Sequence, residues 1–249
     1  MKIAFSKPTQ DDAERQTLFT HFRSSGYTGL QLKYSQYEAY IDQPTSFLEA
    51  WGADARAIAS GLITGGYLDD AGIADLRRVF KFAQVVGTER IIFCHSQPRQ
   101  DLSRADIQGY ARTLAHLAEE AQQHNTSLSL HHHYNQPVMY RQDFADFFAI
   151  AGEQSVKLTI DTAHLVKSGI DDIAAVIRDY HRVIDNIHLK DIAGGDFKLL
   201  GQGNIDFTKV FVALHEIGYT GWLCADEESG SNLMDAMQAS AQFIHTLGI

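Results

Sequence analysis

The chain predicts a single closed (β/α)₈ barrel, the TIM barrel, spanning residues 1–249. Three observations predict it. Eight short apolar runs alternate with longer segments whose apolar residues recur at helical spacing. The length of 249 residues suits one barrel domain and can bury a sizeable core. No Pro/Gly-rich linker or low-complexity segment divides the chain, and no G-x-G-x-x-G follows the first strand, which disfavours an open doubly wound sheet.

In order, the strand candidates are Lys2–Ser6, Gly29–Lys33, Ala59–Thr64, Arg90–His95, Ser127–His133, Lys157–Asp161, Ile184–Lys190 and Trp222–Asp226. Each is a short run built around Ile, Leu, Phe, Val or Trp. The intervening segments predict helices. In Asp75–Val86, Leu76, Val79, Phe80, Ala83 and Val86 share one face. Between Arg104 and His124, Ile107, Tyr110, Leu114, Leu117 and Ala121 align in the same way. Strands separated by helices pair in parallel, because parallel strands need crossover connections.

Acidic residues outnumber basic ones 31 to 21, giving a net charge of −10 with histidine neutral. That balance repels phosphate backbones and argues against nucleic-acid or anionic-membrane partners. No stretch reaches the roughly 20 apolar residues of a membrane span, and the N-terminus lacks a signal-peptide core. Cys94 and Cys224 lie in apolar strand-like runs, so buried free thiols are expected rather than a disulfide. A cytoplasmic location follows, with homo-oligomerisation left open.

Active sites of such barrels lie at the C-terminal strand ends. Here those ends carry His95, then His131-His132-His133, then Asp161-Thr162-Ala163-His164, then His188-Leu189-Lys190-Asp191, then Asp226-Glu227-Glu228. Ionised carboxylates at partly buried positions need a partner. One divalent cation would satisfy His131, Asp161, His188 and Asp226 together. Mixed N and O donors suit Mn, Co, Zn, Fe or Mg, without choosing among them. Strand alternation puts His131 and His133 on one face and His132 on the other, and pairs His188 with Lys190 and Cys224 with Asp226. A lone strand-end histidine is commonly structural, and that reading applies to His132 and His124. It competes at His95 with a place among the substrate contacts. Asp191 could cap the following loop, and Glu227–Glu228 could be a solvated run. The Gly194-Gly195 and Gly201-x-Gly203 loops fit a phosphate site or ordinary turns equally well.

The motifs Asp161-Thr162-Ala163-His164, Ile187-His188-Leu189-Lys190-Asp191, Gly201-Gln202-Gly203-Asn204-Ile205-Asp206-Phe207 and Gly218-Tyr219-Thr220-Gly221-Trp222, in this order, give the whole chain a resemblance. It resembles the xylose-isomerase-like barrels, which include sugar phosphate isomerases/epimerases, inosose dehydratases and, more distantly, endonuclease IV. In family epimerases the metal ligands are Glu, Asp, His and Glu on strands five to eight, and both Glu residues move protons. Asp161 and His188 match that pattern, whereas His131 and Asp226 stand at the two Glu positions. The triple histidine is similar to inosose dehydratases, although Tyr134-Asn135-Gln136-Pro137 departs from their pattern and the chain is short for that group.

The resemblance implies a small sugar or polyol substrate and a metal acting as a Lewis acid. His133, Lys190 and Lys33 are the candidate proton-transfer groups, with burial or a neighbouring cation expected to lower a lysine pKa. His164 is implied to orient the substrate. Elimination of water is the leading reaction and isomerisation or epimerisation the alternative. A non-catalytic sugar-binding relative is a further reading. An endonuclease would need a richer metal cluster and a basic groove.

Overall fold

The computed structural model describes residues 1–248. Eight parallel strands close into a barrel: β1 (Lys2–Ser6), β2 (Gly29–Leu32), β3 (Gly61–Gly66), β4 (Arg90–His95), β5 (Ser127–His131), β6 (Lys157–Asp161), β7 (Ile184–Leu189) and, after a two-stranded excursion, β10 (Trp222–Asp226). The sheet closes where β1 pairs with β10, Lys2 opposite Trp222 and Ser6 opposite Asp226. Barrel interiors fill with side chains of one strand parity, and the other parity packs on the outer helices. Leu30, Leu62, Ile91, Leu128, Leu158, Ile187 and Leu223 form the outward, helix-covered parity, each fully buried. The helices Asp70–Val86 and Arg104–Gln123 cover this layer with the apolar faces read from the sequence.

Several strand limits differ from expectation, for local reasons. β2 stops before Lys33, whose N–H donates to Gln36 Oε1 and opens a tight turn. β3 starts two residues later than expected, because Ala59 ends the short helix Ala55–Ile58. β5 ends at His131, which is opposite Thr159, and β7 ends at Leu189 because the Lys190 N–H turns to Thr162 Oγ1.

The sequence reading also missed a hairpin. β8 (Asp191–Ala193) pairs antiparallel with β9 (Asp196–Lys198) across Gly194-Gly195. Both glycines have positive φ, 63° and 87°, as a two-residue hairpin turn requires. This assigns Gly194-Gly195 to turn geometry. The Gly201-x-Gly203 loop is likewise explained. It wraps Asp191, whose carboxylate accepts from the backbone N–H groups of Ile192 (2.9 Å), Gly201 (3.0 Å), Gly203 (2.8 Å) and Ile205 (3.2 Å). A Cβ at Gly203 would lie 2.2 Å from Asp191 Oδ1, so only glycine lets the loop approach. Those amides face a carboxylate of the chain itself and do not form a phosphate cradle.

Asp191 is 1 % exposed, so its removal strands buried N–H groups that water cannot reach. Asp191→Ala is expected to lower unfolding stability by about 3 kcal/mol, read by urea denaturation. An unchanged midpoint would show that the loop does not depend on the carboxylate.

Candidate metal centre and its surroundings

Asp161 ends β6 and caps the helix Thr162–Lys167 that follows at once. Its Oδ1 accepts from the His164 N–H at 2.9 Å, and its own N–H donates to His132 Nε2 at 2.9 Å. Cap and strand end together fix the carboxylate and leave Oδ2, fully buried, without a hydrogen bond. Around Oδ2 stand His131 Nε2 at 3.8 Å, His188 Nδ1 at 3.9 Å and Lys190 Nζ at 3.4 Å. Donor atoms of His131, Asp161 and His188 all lie within 4.8 Å of one another.

An unpaired, buried carboxylate oxygen facing two imidazole nitrogens is the donor set a divalent cation takes. Three of the four expected ligands therefore converge. The fourth, Asp226, has Oδ2 3.6 Å from His188 Nδ1, but two ammonium groups hold it. Lys33 Nζ lies 2.7 Å from its Oδ1 and Lys190 Nζ 2.7 Å from its Oδ2. Glu228, expected to be solvated, also accepts from both lysines at 3.0 Å. Glu227 is buried and accepts from the Ser229 N–H and hydroxyl.

The electrostatics follow from burial and these neighbours. Burial alone would raise the Asp161 and Asp226 pKa values, but Lys190, with His164 at Asp161 and Lys33 at Asp226, holds both well below the usual carboxylate range. Burial would lower the lysines, but Asp226 and Glu228 push Lys33 up to about 12, and Asp161, Asp226 and Glu228 hold Lys190 well above the usual lysine value. The expected lowering of a lysine pKa is thus reversed. Burial lowers His188 to about 3. At His131 burial acts the same way, but Cys94 and Asp161 outweigh it and raise the ring to about 10. His131 Nε2 and His188 Nδ1 lie 3.2 Å apart, within hydrogen-bond distance.

His133 follows the predicted parity. Its ring centroid lies 3.6 Å from that of His164 and 5.8 Å from that of His131. Its Nδ1–H donates to the Tyr134 carbonyl at 2.7 Å, which leaves Nε2 as a bare lone pair. Burial lowers its pKa to about 4. His132 points the other way, onto Phe144 of an outer helix. His164 is buried against Phe197 of the hairpin. Next to Glu228, Lys167, Phe197, Lys198 and Ser229 line a cavity of about 430 Å³.

His95 is not brought to this cluster. In β4 it is Cys94, one residue earlier, that lies beside His131, so alternation turns His95 outward against Phe93 and Tyr110. There it lines a separate cavity of about 450 Å³ with Tyr67, Gln97 and Pro137. Its Nδ1 accepts from the Gln97 N–H at 3.0 Å. Cys94 is half-buried and Cys224 fully buried, and both are free thiols. Residues absent from the sequence-based site are Gln31, whose Oε1 is 2.8 Å from His188 Nε2, and Glu228. The position two residues before Lys33, on the inward parity of β2, was a usable signal for Gln31. No helix among the described residues is long and apolar enough to cross a membrane.

The family model described as xylose isomerase-like TIM barrel matches residues 20–247. The chain belongs to that family. It is 24 % identical over 257 residues to the rhizopine catabolism protein MocC of Rhizobium meliloti, covering 89 % of this chain and 77 % of that one. It is 33 % identical over 137 residues to inosose dehydratase of Clostridium tetani, covering 47 % of this chain and 46 % of that one. The chain thus spans about half the length of the inosose dehydratases it matches. Among solved structures, the IOLI protein with a bound zinc atom superposes with a TM-score of 0.79 at 15 % identity, covering 99 % of this chain and 98 % of that one. A D-allulose 3-epimerase from Methylomonas sp. in complex with D-allulose gives 0.78 at 16 % identity, covering 99 % and 96 %. At these identities the structural matches establish the fold.

Burial lowers the His95 pKa to about 4, whereas an unfolded histidine titrates near 6.5. Below that unfolded value the unfolded chain binds the extra proton, so acid favours unfolding. From this residue stability is expected to fall by about 1.4 kcal/mol per pH unit between roughly 6 and 4. Urea midpoints at pH 7, 6 and 5 should decline more steeply for the wild type than for His95→Asn. Parallel declines would show that His95 is not held neutral by its surroundings.

Proposed function

We propose that the chain is a divalent-metal-dependent enzyme that removes a proton beside the carbonyl of a keto-sugar or keto-polyol and eliminates water. The observation that carries this reading is an unlike acid and base around one donor cluster. A neutral His133 with a bare Nε2 and two lysines, Lys33 and Lys190, held protonated, share the strand-end cluster. His131, Asp161 and His188 would hold the metal, with Asp226 completing the set. The metal, whether Mn, Co, Zn, Fe or Mg, supplies Lewis-acid stabilisation of charge developing on substrate oxygen.

The chain's own residues do the rest. His133 Nε2 accepts the C–H proton, and the electron pair moves toward the carbonyl oxygen. As the pair returns, the adjacent C–O bond breaks, and a lysine ammonium gives its proton to the departing hydroxyl, which leaves as water. His164, stacked on His133, orients that base and walls the site. Epimerisation instead needs two groups that each alternate between acid and base. Family epimerases use two Glu for this, and here His131 and Asp226 occupy those positions. The names of MocC and of the inosose dehydratases support a cyclic polyol or its ketone as substrate class.

Incubation of metal-loaded protein with keto-inositols and ketohexoses in D₂O distinguishes the reactions. The expected result is an unsaturated or diketo product 18 mass units lighter, per water lost, apart from any deuterium taken up. Deuterium in a sugar of unchanged formula would instead establish epimerisation or isomerisation, and turnover of neither substrate class would overturn the proposal. His188→Ala or Asp161→Ala is expected to weaken metal affinity by more than about 100-fold, measured by competition with a chelating dye. Unchanged affinity would remove the metal centre from the reading.

A further inference from the structure

Beneath the donor cluster the barrel interior is polar where an apolar plug would be usual. Gln31, Ser129, Thr159 and Asn186 are each at most 1 % exposed and form one continuous hydrogen-bonded column. At its top, His188 Nε2 lies 2.8 Å from Gln31 Oε1. Gln31 and Asn186 pair amide to amide, at 2.7 and 3.2 Å. Asn186 Nδ2 is 3.4 Å from Thr159 Oγ1, which is 2.7 Å from Ser129 Oγ. Ser129 Oγ ends the column 3.1 Å from Asp185 Oδ1.

The direction of every bond in this column is set at its lower end. Asp185 pairs with Arg90 Nη1 at 3.2 Å, so it is a carboxylate and only accepts. Ser129 must then donate downward to Asp185, and its oxygen is left to accept from the Thr159 hydroxyl. Thr159, having given its proton, accepts from Asn186 Nδ2. That fixes the Asn186 carbonyl against Gln31 Nε2 and turns Gln31 Oε1 toward His188. An amide oxygen facing an imidazole nitrogen requires an N–H there. With both amides reversed, Thr159 would have to donate to Asn186 and Ser129 to Thr159. The Ser129 and Asp185 oxygens would then face each other at 3.1 Å with no proton between them.

We propose that Asp185, acting through Ser129, Thr159, Asn186 and Gln31, holds His188 as the Nε2–H tautomer and so aims its Nδ1 lone pair at the donor cluster. Gln31 and the residues below it are positioning residues, and a ligating histidine depends on such a partner for its tautomer. The consequence for metal binding rests on the reading given under Proposed function; the tautomer itself does not.

The test uses metal-free protein with ¹⁵N-labelled histidine at pH 7–8, with the His188 signals assigned by their loss in His188→Ala. Long-range ¹H–¹⁵N correlations are expected to show the Nε2–H form in the wild type. The Nδ1–H form, or a mixture, overturns the proposal without needing any variant. Asp185→Asn and Thr159→Val, at the base and middle of the column, are expected to shift the wild-type pattern toward a mixture. If every folded variant keeps the pure Nε2–H form, direction does not come from Asp185 and the proposal fails. Gln31→Met is expected to weaken zinc affinity about 10–100-fold. If zinc affinity is intact in that variant, Gln31 does not position the ligand. If the wild type shows the Nε2–H form yet binds no divalent metal, the metal reading fails while the tautomer assignment stands.

Discussion

A carboxylate buried to zero exposure with one oxygen unpaired is the constraint that organises the mouth of this barrel. An isolated ionised Asp161 would be prohibitively costly in a low-dielectric setting, so a backbone N–H and an ammonium are placed against it. The helix after β6 supplies a backbone N–H to one oxygen, and Lys190 approaches the other. His131 and His188 complete the ring. Because Asp161 is both the last residue of a strand and the cap of a helix, its position is fixed by two elements at once. A site built on such a junction is more rigid than one carried by a loop.

The same logic accounts for the second carboxylate. Asp226 is shared between two lysines and the imidazole of His188, and Glu228 takes up the remaining lysine protons. The cluster is therefore not a simple four-ligand cage. Lys190 is a cation placed between Asp161 and Asp226, and Glu228 accepts from the same ammonium at 3.0 Å. Charge compensation by an ammonium keeps the acidic groups ionised, which is the state a metal requires of them.

Much of this was legible in the sequence, and the failures have physical causes. β1, β4, β6 and β10 match their expected limits, because each is an apolar run ended by a polar residue. The paired positions of Asp161 and His188 were readable because the two residues lie at the C-terminal ends of neighbouring strands, one last and the other next to last, and stand directly opposite one another. His95 was placed at the mouth because it ends a strand, but being last does not decide which side a side chain takes. Parity does, and in β4 the inward residue is Cys94. The hairpin after β7 was missed because three-residue strands carry almost no periodicity, and the nest around Asp191 draws on N–H groups from 1 to 14 residues later in the chain. Gln31 and Asn186 were passed over because polar residues inside strands look like solvent-facing alternation when the barrel interior is assumed apolar.

That polar interior also bears on the chemistry above it. A barrel plugged with Leu and Val would leave His188 free to choose either tautomer, and its Nδ1 would carry a proton part of the time. A column of oriented dipoles removes that freedom, and it does so with groups too deeply buried for water to reorient. His133, in turn, is set by a single backbone carbonyl, the Tyr134 oxygen, which leaves its lone pair uncommitted. On the proposed reading, one histidine is held for ligation and the other is left available for proton transfer. Two imidazoles of one cluster are thus distinguished by what holds their second nitrogen, an amide oxygen at His188 and a backbone carbonyl at His133.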